Sequence, residues 1–192
     1  MALQDSELIG KAKLGDKQAF TELFNRYRKK ILGYLYRYTG NYQMAEDITI
    51  DTFLNAYTSL PKYEEMGTFS SWLYKIATNR AKDELRKQSR HKETHFEDIA
   101  VNEPDGLSLE ELIADDSGRP DYEARKHELS DFIEKTLMKL DTKYRETLML
   151  CDVEGLGCLA AARILKCNPI TVGTRLRRAR KIFYDLLKKG GY

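Results

Sequence analysis

The residues best suited to binding chemistry are cationic and lie on one face of a predicted helix close to the C-terminus. At about 100° per residue, the segment from Pro169 to about Lys188 presents these side chains on its outer face: Ile170, Thr174, Arg177, Arg178 and Lys181. Arginine and lysine bind phosphates and guanine, and short residues near the start of such a helix reach base edges. The pattern predicts DNA recognition; a merely solvated basic face is the alternative. We add the neighbouring Thr171 and Arg175 to this predicted DNA-binding set.

The residues before this helix have the pattern of a helix-turn-helix. Gly155 and Gly157 end one helix, and Leu159–Lys166 is predicted to form a short second one. A tight turn follows at Cys167 and Asn168, where Asn168 is a good N-cap and Pro169 suits the first helical position. A short helix, a turn and a longer basic helix are typical of this DNA-binding motif, which favours the DNA-binding interpretation.

A second cationic face is predicted on the helix from Phe69 to about Arg90. Its polar side comprises Lys75, Thr78, Asn79, Lys82 and Arg86. Asparagine can read a base edge and the cations can hold phosphates, so we predict DNA contacts from Lys75, Asn79, Lys82 and Arg86. The aromatic residues Tyr63, Phe69 and Trp72 are candidates for stacking on unpaired bases. Aromatic residues buried in the core and solvated cations are the alternative.

The helix predicted from Met44 to Leu60 carries a different kind of surface. Ile48, Thr52, Phe53 and Ala56 are predicted to point inward, and Asp47, Ile50, Asp51 and Asn55 lie on the opposite face. Two acids four residues apart gain nothing within the helix, and an exposed isoleucine beside them indicates a protein-contact patch. A solvated acidic face is the alternative.

Helical patterns dominate the elements that position these faces. Asp16 is a predicted cap for a helix that ends at Gly40-Asn41, and Asp141 for the helix Lys143–Val153. No alternating strand pattern is found.

Residues 1–91 carry a net charge of +4, residues 92–127 carry −7, and residues 128–192 carry +5. We therefore predict an all-α protein with a helical domain over 1–91, an acidic flexible linker over 92–127 with a short helix at Ser108–Ala114, and a helix-turn-helix domain over 128–192.

Several function classes are excluded by what the 192 residues lack. No phosphate-binding glycine loop or nucleophile motif is found, and His91 and His95 lack the zinc-protease pattern. Cys151, Cys158 and Cys167 are predicted to be ordinary buried cysteines rather than metal ligands or a redox pair. We expect no enzyme activity, no cofactor, no metal and no membrane insertion, and a cytoplasmic location.

Three segments in series resemble the extracytoplasmic-function (ECF) sigma factors of the bacterial sigma-70 family. They are DKQAFTELFNRYRKKILGYLYRYTGNYQMAEDITIDTFLNAY, FSSWLYKIATNRAKDELRK and LDTKYRETLMLCDVEGLGCLAAARILKCNPITVGTRLRRAR. The resemblance implies a first domain that binds and melts the −10 promoter element, with loop 61–68 capturing a flipped base, and a second that reads the −35 element. It also implies core RNA polymerase as a partner, through the β′ clamp helices and the β flap, with an anti-sigma protein as a further partner. The linker would thread through the polymerase.

The chain departs from that family's pattern at three places. Ile50 stands where a glutamine is common, and Leu159-Ala160-Ala161 where acidic residues are common. Gly173 stands where a lysine or arginine is usual, which we expect to alter −35 preference. A helix-turn-helix regulator that does not associate with polymerase is the alternative function. It would need a ligand-binding or phospho-acceptor α/β domain, and no strand-rich segment is found.

Overall fold

The protein is a series of helices. The computed structural model describes residues 3–64, 67–94 and 120–190, and no strand occurs in these ranges. The all-α prediction is confirmed. In chain order the elements are α1 (Asp5–Lys13), α2 (Lys17–Thr39), α3 (Tyr42–Ser59), a 3₁₀ turn (Leu60–Lys62), α4 (Phe69–Thr94), α5 (Pro120–Met138), α6 (Thr142–Leu148), a π turn (Met149–Val153), α7 (Cys158–Leu165) and α8 (Pro169–Lys189).

Side-chain caps set where most of these helices begin. The carboxylate of Asp16 accepts hydrogen bonds from the backbone N–H groups of Gln18 and Ala19, at 2.9 and 3.1 Å. Asp141 accepts one from Lys143 at 3.1 Å. Such caps satisfy donors that have no partner inside the helix. The predicted caps at Asp16 and Asp141 are confirmed.

Two predicted boundaries differ from the structure. Helix α4 continues to Thr94, past its predicted end near Arg90. Helix α5 begins at Pro120, inside the segment 92–127 predicted as the linker. Proline has no N–H to lose at the first helical position and starts a helix well. Residues 95–119 of the acidic segment, with the predicted helix at Ser108–Ala114, lie outside the described residues.

Helices α1 to α4 enclose the first part of the core. Leu23, Ile31, Tyr34 and Leu35 of α2 are fully buried, as is Leu73 of α4. The inward stripe predicted for α3, Ile48, Thr52, Phe53 and Ala56, is confirmed as buried.

The C-terminal helices share this core instead of standing apart from it. Met149, Leu150 and Ala161 are fully buried and belong to the same apolar cluster as α1 to α4. Helix α7 packs against α4, and α5 and α6 contact α2. A smaller cluster within the C-terminal half is formed by Leu137, Leu140, Leu148, Leu176 and Ala179. The two helical regions that the sequence predicts are therefore present, and they pack against each other in the described part of the chain.

Two carboxylates from the C-terminal half complete this contact. Glu146 accepts a hydrogen bond from the Tyr38 hydroxyl at 3.1 Å, and the Lys82 ammonium lies 2.9 Å from the same carboxylate oxygen. Glu154 lies 3.5 Å from the Arg37 guanidinium and accepts a hydrogen bond from the Tyr74 hydroxyl. Each carboxylate thus forms an ion pair with one cation, and accepts a hydrogen bond from one hydroxyl, of the N-terminal half.

Burial raises the pKa of Glu154, although Tyr74, Arg37 and Lys30 around it act in the opposite direction. A raised pKa means that the folded protein holds the proton more tightly than the unfolded chain does. Stability contributed by this group is therefore lost as pH rises through the folded-state pKa and regained as pH falls.

We predict that the difference in thermal unfolding midpoint between wild type and Glu154→Gln depends on pH. Wild type should gain stability relative to the variant as pH falls through the raised folded-state pKa of Glu154, because its carboxyl becomes neutral while the amide does not titrate. Calorimetry of both proteins over a pH series that spans this pKa measures the effect. A difference that stays constant with pH would contradict the assignment.

Candidate nucleic-acid interface

The turn between α7 and α8 is built by local backbone chemistry. Lys166 adopts the left-handed conformation at φ 52° and ends α7, with the Cys167 N–H bonded to the Ala162 carbonyl at 3.1 Å. The Asn168 carboxamide oxygen then accepts the Ile170 N–H at 2.8 Å, and Pro169 is the first residue of α8. The predicted turn and cap are confirmed, and they fix how α8 leaves the core.

Helix α8 divides into two faces as the sequence predicts. Val172, Leu176 and Ala179 are buried against the C-terminal helices. The residues on the opposite side are exposed: Ile170, Thr174, Arg177, Arg178 and Lys181. Thr171 and Arg175 lie at the edge and are half-buried. The exposed cations and the short residues at the start of the helix therefore share one accessible face, which is the arrangement that groove recognition needs.

One arginine of α8 has a different role that the sequence pattern did not reveal. Arg180 forms two hydrogen bonds to the Asp152 carboxylate, at 2.8 and 2.6 Å. This bidentate pair connects α8 to the π turn that precedes α7 and so fixes the orientation of the outer face. Asp152 lies 28 residues earlier in the chain, so only the fold brings the pair together.

Gly173 and Leu159, which differ from the residues common in ECF sigma factors, lie on exposed surface. A side chain at Gly173 would have no heavy atom within 4 Å, so the position is open rather than crowded. Leu159, on the first turn of α7, is 67% exposed. Both positions border the helix-turn-helix surface without supporting the core.

The second cationic face, on α4, is only partly free. Lys75 and Arg86 are exposed, and Asn79 is half-buried. Lys82 is paired with Glu146 and keeps 30% of its side chain exposed. Thr78, predicted on this polar face, is fully buried, and its hydroxyl is bonded to the Tyr34 hydroxyl and the Tyr74 carbonyl, each at 2.7 Å. The prediction fails there because a threonine that bonds to the preceding turn needs no solvent.

The aromatic residues beside α4 belong mainly to the core. Tyr63 and Phe69 are 5% and 4% exposed. Their rings and that of Trp72 form one cluster, with centroids 4.7 to 6.0 Å apart. In this arrangement Tyr63 and Phe69 are not available for stacking on bases, and the half-buried Trp72 is the accessible member. Loop residues 65 and 66 lie outside the described residues.

Helix α3 presents a surface of another character. Asp47, Ile50 and Asp51 are exposed and Asn55 is half-buried, with the Asn55 amide donating to the Asp51 carbonyl at 2.9 Å. An open cleft beside this face joins Asp47 and Asp51 to Glu84 and Gln88 of α4. An acidic cleft of this kind is suited to a partner that presents cations.

Sequence reasoning missed an apolar extension of this patch. Leu54 is 60% exposed and Tyr57 41% exposed, and with Ile50 they follow one another at i, i+4 and i+7. The signal was present in the sequence as a second apolar stripe on the opposite side of α3 from the buried one. When a helix is apolar on two sides, one side is buried in the protein core and the other side is exposed and suited to contact a partner.

No other binding chemistry is found in the described residues. They contain no group of three or more histidine, cysteine or acidic side chains placed to hold a metal ion. Cys158 is exposed and Cys151 and Cys167 are half-buried, so the prediction of buried cysteines is wrong. None of the helices described here combines the length and apolar character needed to cross a membrane.

Two family models match separate segments of the chain. The family described as "Sigma-70 region 2" matches residues 23–91, and "Sigma-70, region 4" matches residues 133–182. "ECF RNA polymerase sigma factor SigW" of Bacillus subtilis (strain 168) is 33% identical over 188 residues, covering 98% of this chain and 99% of the relative. "RNA polymerase sigma-H factor" of Pseudomonas aeruginosa is 30% identical, covering 93% and 91%.

Two solved structures share the fold. One is CnrH in complex with the cytosolic domain of CnrY, with a TM-score of 0.65, 24% identity and coverage of 96% of this chain and 97% of that one. The other is the sigma factor RpoE with the anti-sigma factor NepR from Bartonella quintana, with a TM-score of 0.67, 24% identity and coverage of 88% and 96%. With identity and coverage of this extent to the curated relatives, the chain belongs to the ECF RNA polymerase sigma factors of the sigma-70 family.

Proposed function

We propose that this sigma factor directs core RNA polymerase to specific promoters and helps to melt them. The observation that carries the proposal is the exposed basic face of α8, held by its buried residues Val172, Leu176 and Ala179 and introduced by a capped turn. That face reads the −35 element in the major groove. Thr174 and Arg177 contact base edges, and Lys181 further along binds phosphate.

Helix α4 serves the −10 element. Lys75, Asn79, Lys82 and Arg86 lie along it, with cations on both sides of the amide. The cations bind the backbone of the strands, and the Asn79 amide is placed to contact a base edge. Trp72, at the border of this face, is the aromatic residue placed to contact an unstacked base.

The acidic and apolar patch on α3 docks on core polymerase. Asp47 and Asp51 pair with cations of the β′ clamp helices, and Ile50, Leu54 and Tyr57 cover an apolar surface there. The β flap contacts the C-terminal helices. The catalytic chemistry belongs to the polymerase, so the chain itself has no catalytic role, and it works in the cytoplasm where transcription takes place.

An anti-sigma protein is a further partner of this chain. The support is the relationship to RpoE, whose structure contains an anti-sigma factor. A helix-turn-helix regulator that acts without polymerase is less well supported, because it gives no role to the exposed patch on α3 or to the region 2 match over residues 23–91.

We predict that Arg177→Ala lowers the affinity of the holoenzyme for a −35 duplex selected by the wild-type protein. The expected cost is about 1–3 kcal/mol, with weaker discrimination against mismatched duplexes, since Arg177 is assigned a base contact. Gel-shift titration measures it. Lys189→Ala is the matched control, because it removes one exposed cation at the far end of α8 and should weaken all duplexes slightly and equally. Equal losses on selected and random duplexes for Arg177→Ala would make Arg177 a phosphate contact only.

We predict that Asp51→Arg lowers affinity for core polymerase by about tenfold or more, because charge reversal places two cations against each other. Adding Asp47→Arg should increase the loss. Fluorescence anisotropy of labelled chain titrated with core enzyme measures it. Asp185→Arg makes the same charge change on an exposed residue of α8 and should leave binding unaltered. Wild-type affinity of a folded Asp51→Arg variant would show that core polymerase docks elsewhere.

A further inference from the structure

The exposed face of α8, to which the proposed function assigns the −35 element, changes character along the helix. Its later turns carry three exposed cations, which are Arg177, Arg178 and Lys181. Its first turns carry Ile170, Gly173 and Thr174, and all three positions are exposed. Residues spaced i, i+3 and i+4 are neighbours on a helix surface, so these three form one continuous surface, the N-terminal patch of α8.

Ile170 gives the N-terminal patch an apolar side chain in an ordered part of the backbone. The residue is 79% exposed. Its backbone N–H is bonded to the Asn168 carboxamide oxygen at 2.8 Å, and Pro169 is the first residue of the helix. The cap and the proline fix this first turn, so a partner meets the isoleucine on a backbone that is already in place.

Thr174 contributes a methyl group to the patch rather than a hydrogen-bond donor. Its hydroxyl donates to the Ile170 carbonyl oxygen at 3.0 Å. A hydroxyl has one proton to donate, and this bond uses that proton within the helix. The side chain therefore has a methyl group, and no free donor, to offer a base. Thr171, the other threonine of these turns, is half-buried at the edge of the face.

Gly173 makes the patch concave. Glycine is an unfavourable residue inside a helix, and a Cβ at this position would have no heavy atom within 4 Å. Packing within the chain therefore does not require a glycine here. Its missing side chain leaves a depression on the helix surface between Ile170, three residues earlier, and Arg177, four residues later, where a group from outside can approach the backbone closely.

The major groove of DNA contains one apolar group that fits such a patch. Residues near the start of a recognition helix contact base edges there. Adenine, guanine and cytosine present hydrogen-bond donors and acceptors, whereas thymine also presents its C5-methyl group. Since Ile170 and Thr174 offer no free side-chain donor, thymine is the base whose edge matches them. The cations of the later turns favour duplex DNA as the partner, because they complement its phosphates.

We propose that Ile170, Gly173 and Thr174 form a binding site for the C5-methyl group of one thymine in the −35 element. Ile170 and the Thr174 methyl group contact the thymine methyl, and the depression at Gly173 makes room for it. This inference rests on the proposed promoter function, because it specifies what the −35-reading face of α8 recognises.

The first test removes the methyl group from the DNA. Duplexes are selected from a random-sequence library by the full-length chain bound to bacterial core RNA polymerase, and each thymine of the selected −35 element is replaced in turn by deoxyuridine. Uracil pairs like thymine and lacks only the C5-methyl group. At one position the replacement should weaken binding about fourfold, which corresponds to about 0.8 kcal/mol, whereas replacement of a thymine outside the element should have no effect.

A second substitution at that position returns the methyl group on another base. A cytosine there should bind more weakly than thymine, and 5-methylcytosine should recover part of the loss, because its methyl group occupies the same place in the groove. If the selected element contains no thymine, or if every deoxyuridine duplex binds like its thymine parent, the proposal is overturned.

Protein variants assign the contact to the patch. Ile170→Ala should reduce the ratio of thymine to uracil affinity to about one. Ile182→Ala is the matched control, because it truncates another exposed isoleucine of α8 and should keep the wild-type ratio. Gly173→Leu should also abolish the ratio by filling the depression, without lowering the thermal unfolding midpoint. A wild-type ratio in Ile170→Ala or in Gly173→Leu would overturn the proposal.

Two substitutions at Thr174 separate its methyl group from its hydroxyl. Thr174→Ser removes the methyl group and keeps the hydroxyl, and Thr174→Val does the reverse. Thr174→Ser should lower the ratio of thymine to uracil affinity more than Thr174→Val does. The opposite order would assign the contact to the hydroxyl and overturn the proposal.

The proposed function and the methyl contact can fail separately. If the holoenzyme initiates at specific promoters and no −35 thymine is sensitive to uracil, the sigma activity stands and the methyl contact does not. If the chain does not bind core polymerase but by itself selects duplexes with a uracil-sensitive thymine, the methyl contact stands and the sigma activity does not.

Discussion

The packing of α4 against three neighbours is the contact on which the rest of the molecule depends. Its buried side, which includes Leu73, Ala77 and Ala81, lies against α2, α3 and α7. Ala77 and Ala81 of α4 and Ala161 and Ala162 of α7 are all buried, and small side chains of this kind leave room for closely packed neighbours. Since the other side of α4 carries the predicted −10 contacts, one helix must serve the core, the interface and the DNA.

That constraint explains why polar groups occur at the interface between the halves. An apolar interface alone would stabilise docking through buried area and would be hard to reverse. Carboxylates paired with Lys82 and Arg37 contribute less net stability but specify one geometry, since any other position leaves a buried charge without its partner. The paired carboxylates therefore give the interface one specific geometry.

Much of the fold could be predicted because its signals are local. The caps at Asp16, Asp141 and Asn168 act within three residues, and the two faces of α8 follow directly from helical periodicity. The exposure of Asp47, Ile50 and Asp51 follows from the same periodicity on α3.

The remainder depends on contacts between distant residues, which periodicity does not encode. Thr78 is polar yet buried because the Tyr34 hydroxyl, 44 residues earlier, meets it. The sequence places Lys82 on the cationic face of α4, but in the fold its ammonium pairs with the Glu146 carboxylate. The burial of Tyr63 and Phe69 likewise arises from packing around Trp72. The sequence predicts which side chains could form the candidate site, but it could not tell which of them the fold leaves free.

The proposed function requires that this chain make core RNA polymerase selective for particular promoters. The most direct test is run-off transcription of a genomic fragment library by bacterial core polymerase, with and without the chain. We expect a set of transcripts that require the chain and whose start sites share one upstream pair of sequence elements at constant spacing. Transcription that is unchanged by the chain, under conditions where the chain binds core polymerase and DNA, would contradict it.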